Sequence, residues 1–241
     1  MIDIAMTSIG RADLLKQTLS SFRDKMFKSY ENYRLIINID HFEGHQSLAD
    51  PDDLLNNVVY KFFKKENVLY NIKSPDFPKA THWCFSQTQS DFVFVLQEDF
   101  ELLYNVDFER VQNILINNPD IASVRFLQDK GDTSKILKNK KMVTKDCFAH
   151  NNMLSLNPCL FSKKYLDIIT KKMNLKKGPE RQFNPAASNG RAVRGFKFVT
   201  LDHENNPIVK DLGRPWRQMI NSQGMHKEAL SQVSKVRKIP C

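Results

Sequence analysis

At 241 residues, 41% hydrophobic and 26% charged, the chain carries enough apolar material for one sizeable core and falls in the length range of single α/β domains. No window reaches the ~18–20 apolar residues of a membrane-spanning helix, and the start MIDIAMTSIGR lacks the basic region and apolar stretch of a signal peptide. The net charge of +9 is uneven, with 15 Lys and Arg against 5 Asp and Glu in residues 171–241 but 21 against 22 in residues 1–170, which suits an anionic partner or a solubilising surface.

In chain order, Ile2 to Thr7 predicts a buried strand closed by the polar pair Thr7-Ser8 and a turn at Gly10. Leu15, Leu19, Phe22 and Met26 then recur on one helical face. Tyr33 to Ile39 predicts a second strand that ends on Asp40, and His41 to Asp53 is a polar loop punctuated by Gly and Pro. A helix is expected over Leu54 to Lys65, a short strand over Val68 to Ile72, a helix over Thr81 to Gln89 and a strand over Phe92 to Leu96. This alternation predicts an α/β fold with a mainly parallel central sheet and helices on both faces.

Beyond Glu101 the pattern loosens. A helix is expected over Phe108 to Asn117, a strand over Ile121 to Leu127, and a loop or hairpin over Lys130 to Lys145. Met153 to Phe161 reads as a strand broken at Pro158, and Ser162 as the cap of a helix with Leu166, Ile169 and Met173 on one side. A late strand spans Phe196 to Leu201, and the tail from Ser231 is polar and basic. Cys84, Cys147, Cys159 and Cys241 show no C-x-x-C or zinc spacing, so they are expected to be reduced and the protein cytoplasmic.

The segment Phe92 to Glu101, FVFVLQEDFE, carries the most chemistry. Five apolar residues of a buried strand run straight into Glu98, Asp99 and Glu101. Open α/β sheets bind ligands in the crevice outside the carboxyl ends of their strands. Carboxylates there suit a divalent cation, Mn²⁺ or Mg²⁺, which neutralises a diphosphate leaving group, although acids also cap ordinary turns.

The opening IAMTSIGRADLLKQTLSSF, the strand ending on Asp40 and the acid cluster together resemble family-2-like GT-A glycosyltransferases of a compact bacterial or viral and phage type. The resemblance covers residues 1 to about 105 and fades beyond, and Gln97 stands where the family often has its first metal-motif acid. It implies one GT-A-like domain over residues 1–230, with a nucleotide-sugar half (1–105), an acceptor half (106–230) and a basic tail at 231–241. It further implies that Thr7, Ser8 and Arg11 line the donor pocket and that Asp40 accepts from the base or ribose. Glu98 would lie against the ribose or metal, and Asp99 would be the principal ligand of the divalent metal, helped by Glu98 or Glu101.

Pro207 to Arg217 resembles the late family element that closes over the diphosphate. Asp211 stands where a metal-binding His is often found, and Arg214 and Arg217 would grip phosphate oxygens. Glu180, at the helix start Gly178-Pro179-Glu180-Arg181, is the candidate general base of an inverting transfer, though a helix dipole favours an acid at any such start. His203 and His226 have no partner at metal spacing.

The expected activity is metal-assisted transfer of a sugar from a nucleotide sugar, expected to be a UDP-sugar, onto an acceptor hydroxyl. The basic C-terminal part favours a polyanionic acceptor, such as hydroxymethylated viral or phage DNA, with a glycan as the other acceptor class. No helix-turn-helix, zinc-finger or RNA-recognition signature accompanies the charge. The alternative from another class is a catalytically degenerate nucleotide- or nucleic-acid-binding module, for which Gln97 is the main sign.

Overall fold

The buried runs of the first hundred residues become the parallel half of one sheet. This computed structural model describes residues 1–42, 48–129, 137–138, 140–150, 153–183, 193 and 195–214. Strands β1 (Ile2–Ser8), β2 (Tyr33–Asp40), β3 (Val68–Lys73) and β4 (Phe92–Gln97) lie side by side in the order β3-β2-β1-β4, all parallel. The remaining strands are β5 (Phe100–Leu102), β6 (Ile121–Arg125), β7 (Met142–Thr144), β8 (Cys147–Ala149), β9 (Cys159–Ser162), β10 (Lys197–Leu201) and β11 (Val209–Asp211). The sheet continues as β9-β6-β10-β8-β7 to nine strands, and β5 and β11 form a separate antiparallel ribbon. Among the described strands of the large sheet only β9 and β8 run against the rest.

Period-two alternation sends successive strand residues to opposite faces, and each face meets its own helices. On one face Ile4, Met6, Leu35, Ile37 and Phe94 pack under Leu15, Leu19 and Phe22 of α1 (Ala12–Phe22), Leu54 and Leu55 of α2 (Pro51–Asn57), and Val111 and Ile114 of α4 (Phe108–Asn117). On the other, Ala5, Ile36, Val93 and Val95 pack under Cys84 and Phe85 of α3 (Phe77–Ser86) and Tyr165, Leu166 and Ile169 of α5 (Lys163–Lys172). Each Val, Leu, Ile, Phe or Met side chain buried in this way contributes ~1.5–3 kcal/mol, so the two layers hold the sheet from both sides. The α/β class and the mainly parallel sheet are as the sequence predicts.

Helix boundaries differ where capping outweighs periodicity. α2 begins inside the expected loop because the Asp50 side chain accepts the Asp52 N–H at 2.9 Å and Pro51 suits a first turn; it stops at Asn57, short of Lys65. α3 likewise starts four residues early, where the Asp76 carboxylate accepts the Lys79 N–H at 3.2 Å ahead of Pro78, and it ends at Ser86. Ser162 precedes α5 without a side-chain capping bond. The strand expected from Met153 begins only at Cys159, since Pro158 has no N–H to give a ladder; its carbonyl accepts from Phe126, which ends β6 at Arg125. Met142–Thr144 and Cys147–Ala149 form a hairpin that overlaps only the end of the stretch expected as loop or hairpin, whose residues 130–136 and 139 lie outside the described residues, as does the tail from Ser231. No described helix is long and apolar enough to cross a membrane.

Candidate active site

The carboxyl ends of β1, β2 and β4 gather six of the sequence-selected polar residues, Thr7, Ser8, Arg11, Asp40, Glu98 and Asp99. β1 ends on Ser8, and Gly10 turns the chain at φ +86°, where an added Cβ would meet the Ala49 carbonyl at 3.1 Å. That left-handed turn, open to glycine at little cost, brings Arg11 back over the end of β4. The Arg11 Nε donates to Glu98 Oε1 at 2.6 Å and its Nη2 to Asp99 Oδ2 at 2.8 Å. Glu98 also accepts from the Ser8 hydroxyl and from the Arg11 backbone N–H at 3.3 Å, and its own carbonyl accepts from the Thr18 hydroxyl at 2.6 Å.

All three charged side chains are buried: Arg11 is 7% exposed, Glu98 1% and Asp99 5%. Burial alone would lower the Arg11 pKa, but the two carboxylates outweigh it and hold the guanidinium above its ordinary range.

Asp40 sits at the end of β2 and accepts from Asn38 Nδ2 at 2.9 Å; Asn38 in turn accepts from Asn71 Nδ2 at 2.7 Å. Burial raises the Asp40 pKa to about 7, the Asn38 bond opposes that, and the charges of Glu98 and Asp76 add to the rise. Because the folded value lies above the unfolded one, protonated Asp40 favours the fold at low pH, and that contribution is lost as pH rises through about 7. Asp40→Asn should therefore gain stability over the wild type between pH 4 and 7, by denaturant titration at several pH values. If Asp40 accepts a donor N–H from a ligand, affinity for that ligand should rise over pH 6 to 8, and Asp40→Asn should flatten the profile.

Thr7 and Gln97 are register partners and line a small cavity over α3 with Cys84 and Leu156. Asp211 is delivered by the β5–β11 ribbon, where it pairs with Phe100, and the Leu212 N–H donates to the Asp99 carbonyl at 2.8 Å. Its carboxylate accepts the Gly213 and Arg214 N–H groups at 2.8 and 3.2 Å, shaping a turn beside the acids with Arg214 exposed. Arg217 lies outside the described residues.

Glu101 stands between the buried Phe100 and Leu102, half-exposed and opposite Lys210, and has no bond to the Arg11 trio. Glu180 opens the short helix α6 (Pro179–Gln182), exposed, with Oε1 accepting the Leu156 N–H at 2.9 Å. Asn38 and Asn71 were not singled out from the sequence. The only signal for Asn38 is its place two residues before Asp40, on the same strand face.

A metal centre made by the protein alone is not present among the described residues, where no three His, Cys, Asp or Glu side chains cluster. Two carboxylates, Glu98 and Asp99, do stand together at this edge, both clasped by Arg11.

No protein-family model matches the chain, and no curated protein matches it. Solved structures do. S. aureus TarS, residues 1–349, aligns with TM-score 0.54 at 12% identity over 87% of this chain and 60% of its own. The same protein in complex with UDP aligns with TM-score 0.54 at 11% identity over 87% and 59%. The mannosyltransferase PcManGT from Pyrobaculum calidifontis, in complex with GDP-Man and Mn²⁺, aligns with TM-score 0.59 at 8% identity over 88% and 56%. The likeness is one of fold, and it is the GT-A-like fold. The chain spans about three-fifths of the length of these structures.

Proposed function

We propose that the protein is a glycosyltransferase that takes a sugar from a nucleotide sugar and passes it to an acceptor hydroxyl. The observation that carries this is the Arg11–Glu98–Asp99 network at the carboxyl ends of parallel strands, in a fold shared with structures bound to UDP and to GDP-Man.

Asp40 accepts from the base or ribose, with Asn38 fixing its carboxylate and Thr7 on the same face of the sheet. Arg11 and Ser8 hold Glu98 in place, so Glu98 orients the pocket rather than reacting. Asp99, with the Asp211 turn against its backbone, is the protein group that would hold a divalent ion brought in with the diphosphate. Such an ion neutralises the charge that develops on the leaving diphosphate. Arg214, exposed on the same turn, would grip phosphate oxygens in this reading, together with Arg217 three residues on in the chain.

Glu180 takes the proton from the attacking hydroxyl as general base, one carboxylate oxygen being anchored by Leu156. Exposed Lys171, Lys176 and Lys177 offer an anionic acceptor a basic rim, but nothing in their placement singles out DNA.

A thermal-shift screen of UDP, GDP and their sugars, each with and without Mn²⁺, tests the donor assignment. At a hundredfold excess over Kd a specific nucleotide should stabilise by about 2.7 kcal/mol, or roughly 5–10 °C in a domain this size. Mn²⁺ alone should shift the melting point little, and Mn²⁺ with the right nucleotide more than the nucleotide alone. Silence from every nucleotide would remove the proposal, and an equal shift from Mn²⁺ alone would replace the substrate-borne ion with a resident one.

A further inference from the structure

Past β4 along the same sheet edge lies a half-buried cation that the donor assignment leaves unused. Arg125 ends β6 and sits in a row of register partners that runs Ala5, Val95, Cys159, Arg125, Thr200. It is therefore two strand spacings from β4, about 10 Å along the sheet. Val95 and Arg125 share a row, and Gln97 stands two residues beyond Val95 on the same face, toward the carboxyl edge.

The guanidinium is poorly satisfied. Its Nη2 donates to the Thr200 hydroxyl at 3.3 Å, while its Nε is cut off from solvent with no hydrogen-bond partner. No described carboxylate forms an ion pair with it; the Glu180 carboxylate is the nearby group whose charge favours it, while burial keeps the Cys159 thiol protonated by pushing its pKa up to about 12. Burial pulls the Arg125 pKa below its ordinary value, and burial followed by the Arg125 charge pushes His150 down to about 3. Ser155, next to the Leu156 that Glu180 holds, buries a hydroxyl that also lacks a partner.

The surroundings add charge of the same sign. β9 runs against β4 and ends at the amino edge, where the Lys163 N–H donates to the Asp91 carbonyl. α5 then returns ~15 Å toward the carboxyl edge, leaving exposed Lys171, Lys176 and Lys177 at the end where Glu180 meets Leu156.

We propose that Arg125 binds an anionic oxygen group, phosphate or carboxylate, carried by the acceptor. The sealed Nε leaves part of the guanidinium's donor capacity unmet, and the planar fork meets a carboxylate or phosphate through its Nη groups. The spacing puts the anion about 10 Å from β4, beside Glu180, so the acceptor is anchored by its charge while its hydroxyl faces the donor. The acceptor assignment rests on the transferase reading above; the anion site does not.

The test uses the full chain saturated with whichever nucleoside diphosphate binds, or free of nucleotide if none does. Inorganic phosphate and, separately, acetate are titrated into wild type, Arg125→Met and Arg125→Lys by NMR or thermal shift. The expected result is saturable binding of one or both anions, weakened on the order of tenfold or more in Arg125→Met and partly kept in Arg125→Lys. Which anion binds tells a phosphorylated acceptor from a carboxylated one. Nucleotide affinity should be unchanged, and Arg125→Met without anion should be at least as stable as wild type, since it removes a sealed N–H that has no partner. Equal anion binding in wild type and Arg125→Met overturns the proposal. So does marked destabilisation or misfolding of Arg125→Met, which would make Arg125 an internally paired structural cation. Anion binding through Arg125 with no nucleotide binding would keep the anion site and remove its role in glycosyl transfer.

Discussion

Arg11→Met should destabilise the protein by about 3–5 kcal/mol, because it leaves two buried carboxylates facing each other without their cation. Glu98 and Asp99 are 1% and 5% exposed, and the Arg11 side chain is what brings both into one network. For a domain whose whole stability is ~5–15 kcal/mol, this is a large share, readable as a lower urea midpoint with an unchanged slope. The triple variant Arg11→Met with Glu98→Gln and Asp99→Asn should recover much of the loss, since the buried charges leave together. A wild-type midpoint in Arg11→Met would mean that the acids are solvated and the network does not form.

Glu180→Gln should lower the rate of sugar transfer by roughly 10²–10⁴-fold while leaving the melting point alone. The amide oxygen still accepts the Leu156 N–H, so the variant removes the base and keeps the anchor. The readout is kcat with a working acceptor, alongside donor Kd, which should stay at its wild-type value. A kcat within a factor of about two of wild type would leave Glu180 as a helix-start acid that organises the Leu156 loop.

The parallel half of the fold was legible because its strands are continuous apolar runs and its helices carry one apolar face. Leu15, Leu19 and Phe22 are all fully buried, and Phe92–Gln97 is the strand that delivers the acids. The second half was less legible for two physical reasons. Its strands β6, β9 and β10 are only four or five residues long, so periodicity has little length over which to show. The reversal of β9 and the β5–β11 ribbon depend on long-range pairing that no local pattern encodes. At the site, Ser8, Glu98 and Asp99 stood out in the sequence as polar residues at strand ends and Arg11 as a loop residue, but the direct clasp of both acids by Arg11 did not. Arg125 was missed because a lone Arg inside the strand expected over Ile121 to Leu127 looks like ordinary surface until its sealed Nε is known.

The most direct measurement is a crystal structure of the protein with the nucleoside diphosphate that shifts its melting point most. The expected result is a base or ribose on Asp40, with the diphosphate lying between Asp99 and the turn at Asp211 to Arg214. A nucleotide bound elsewhere, with Asp40 and Asp99 untouched, would contradict the donor site at this edge of the sheet and the glycosyltransferase reading built on it.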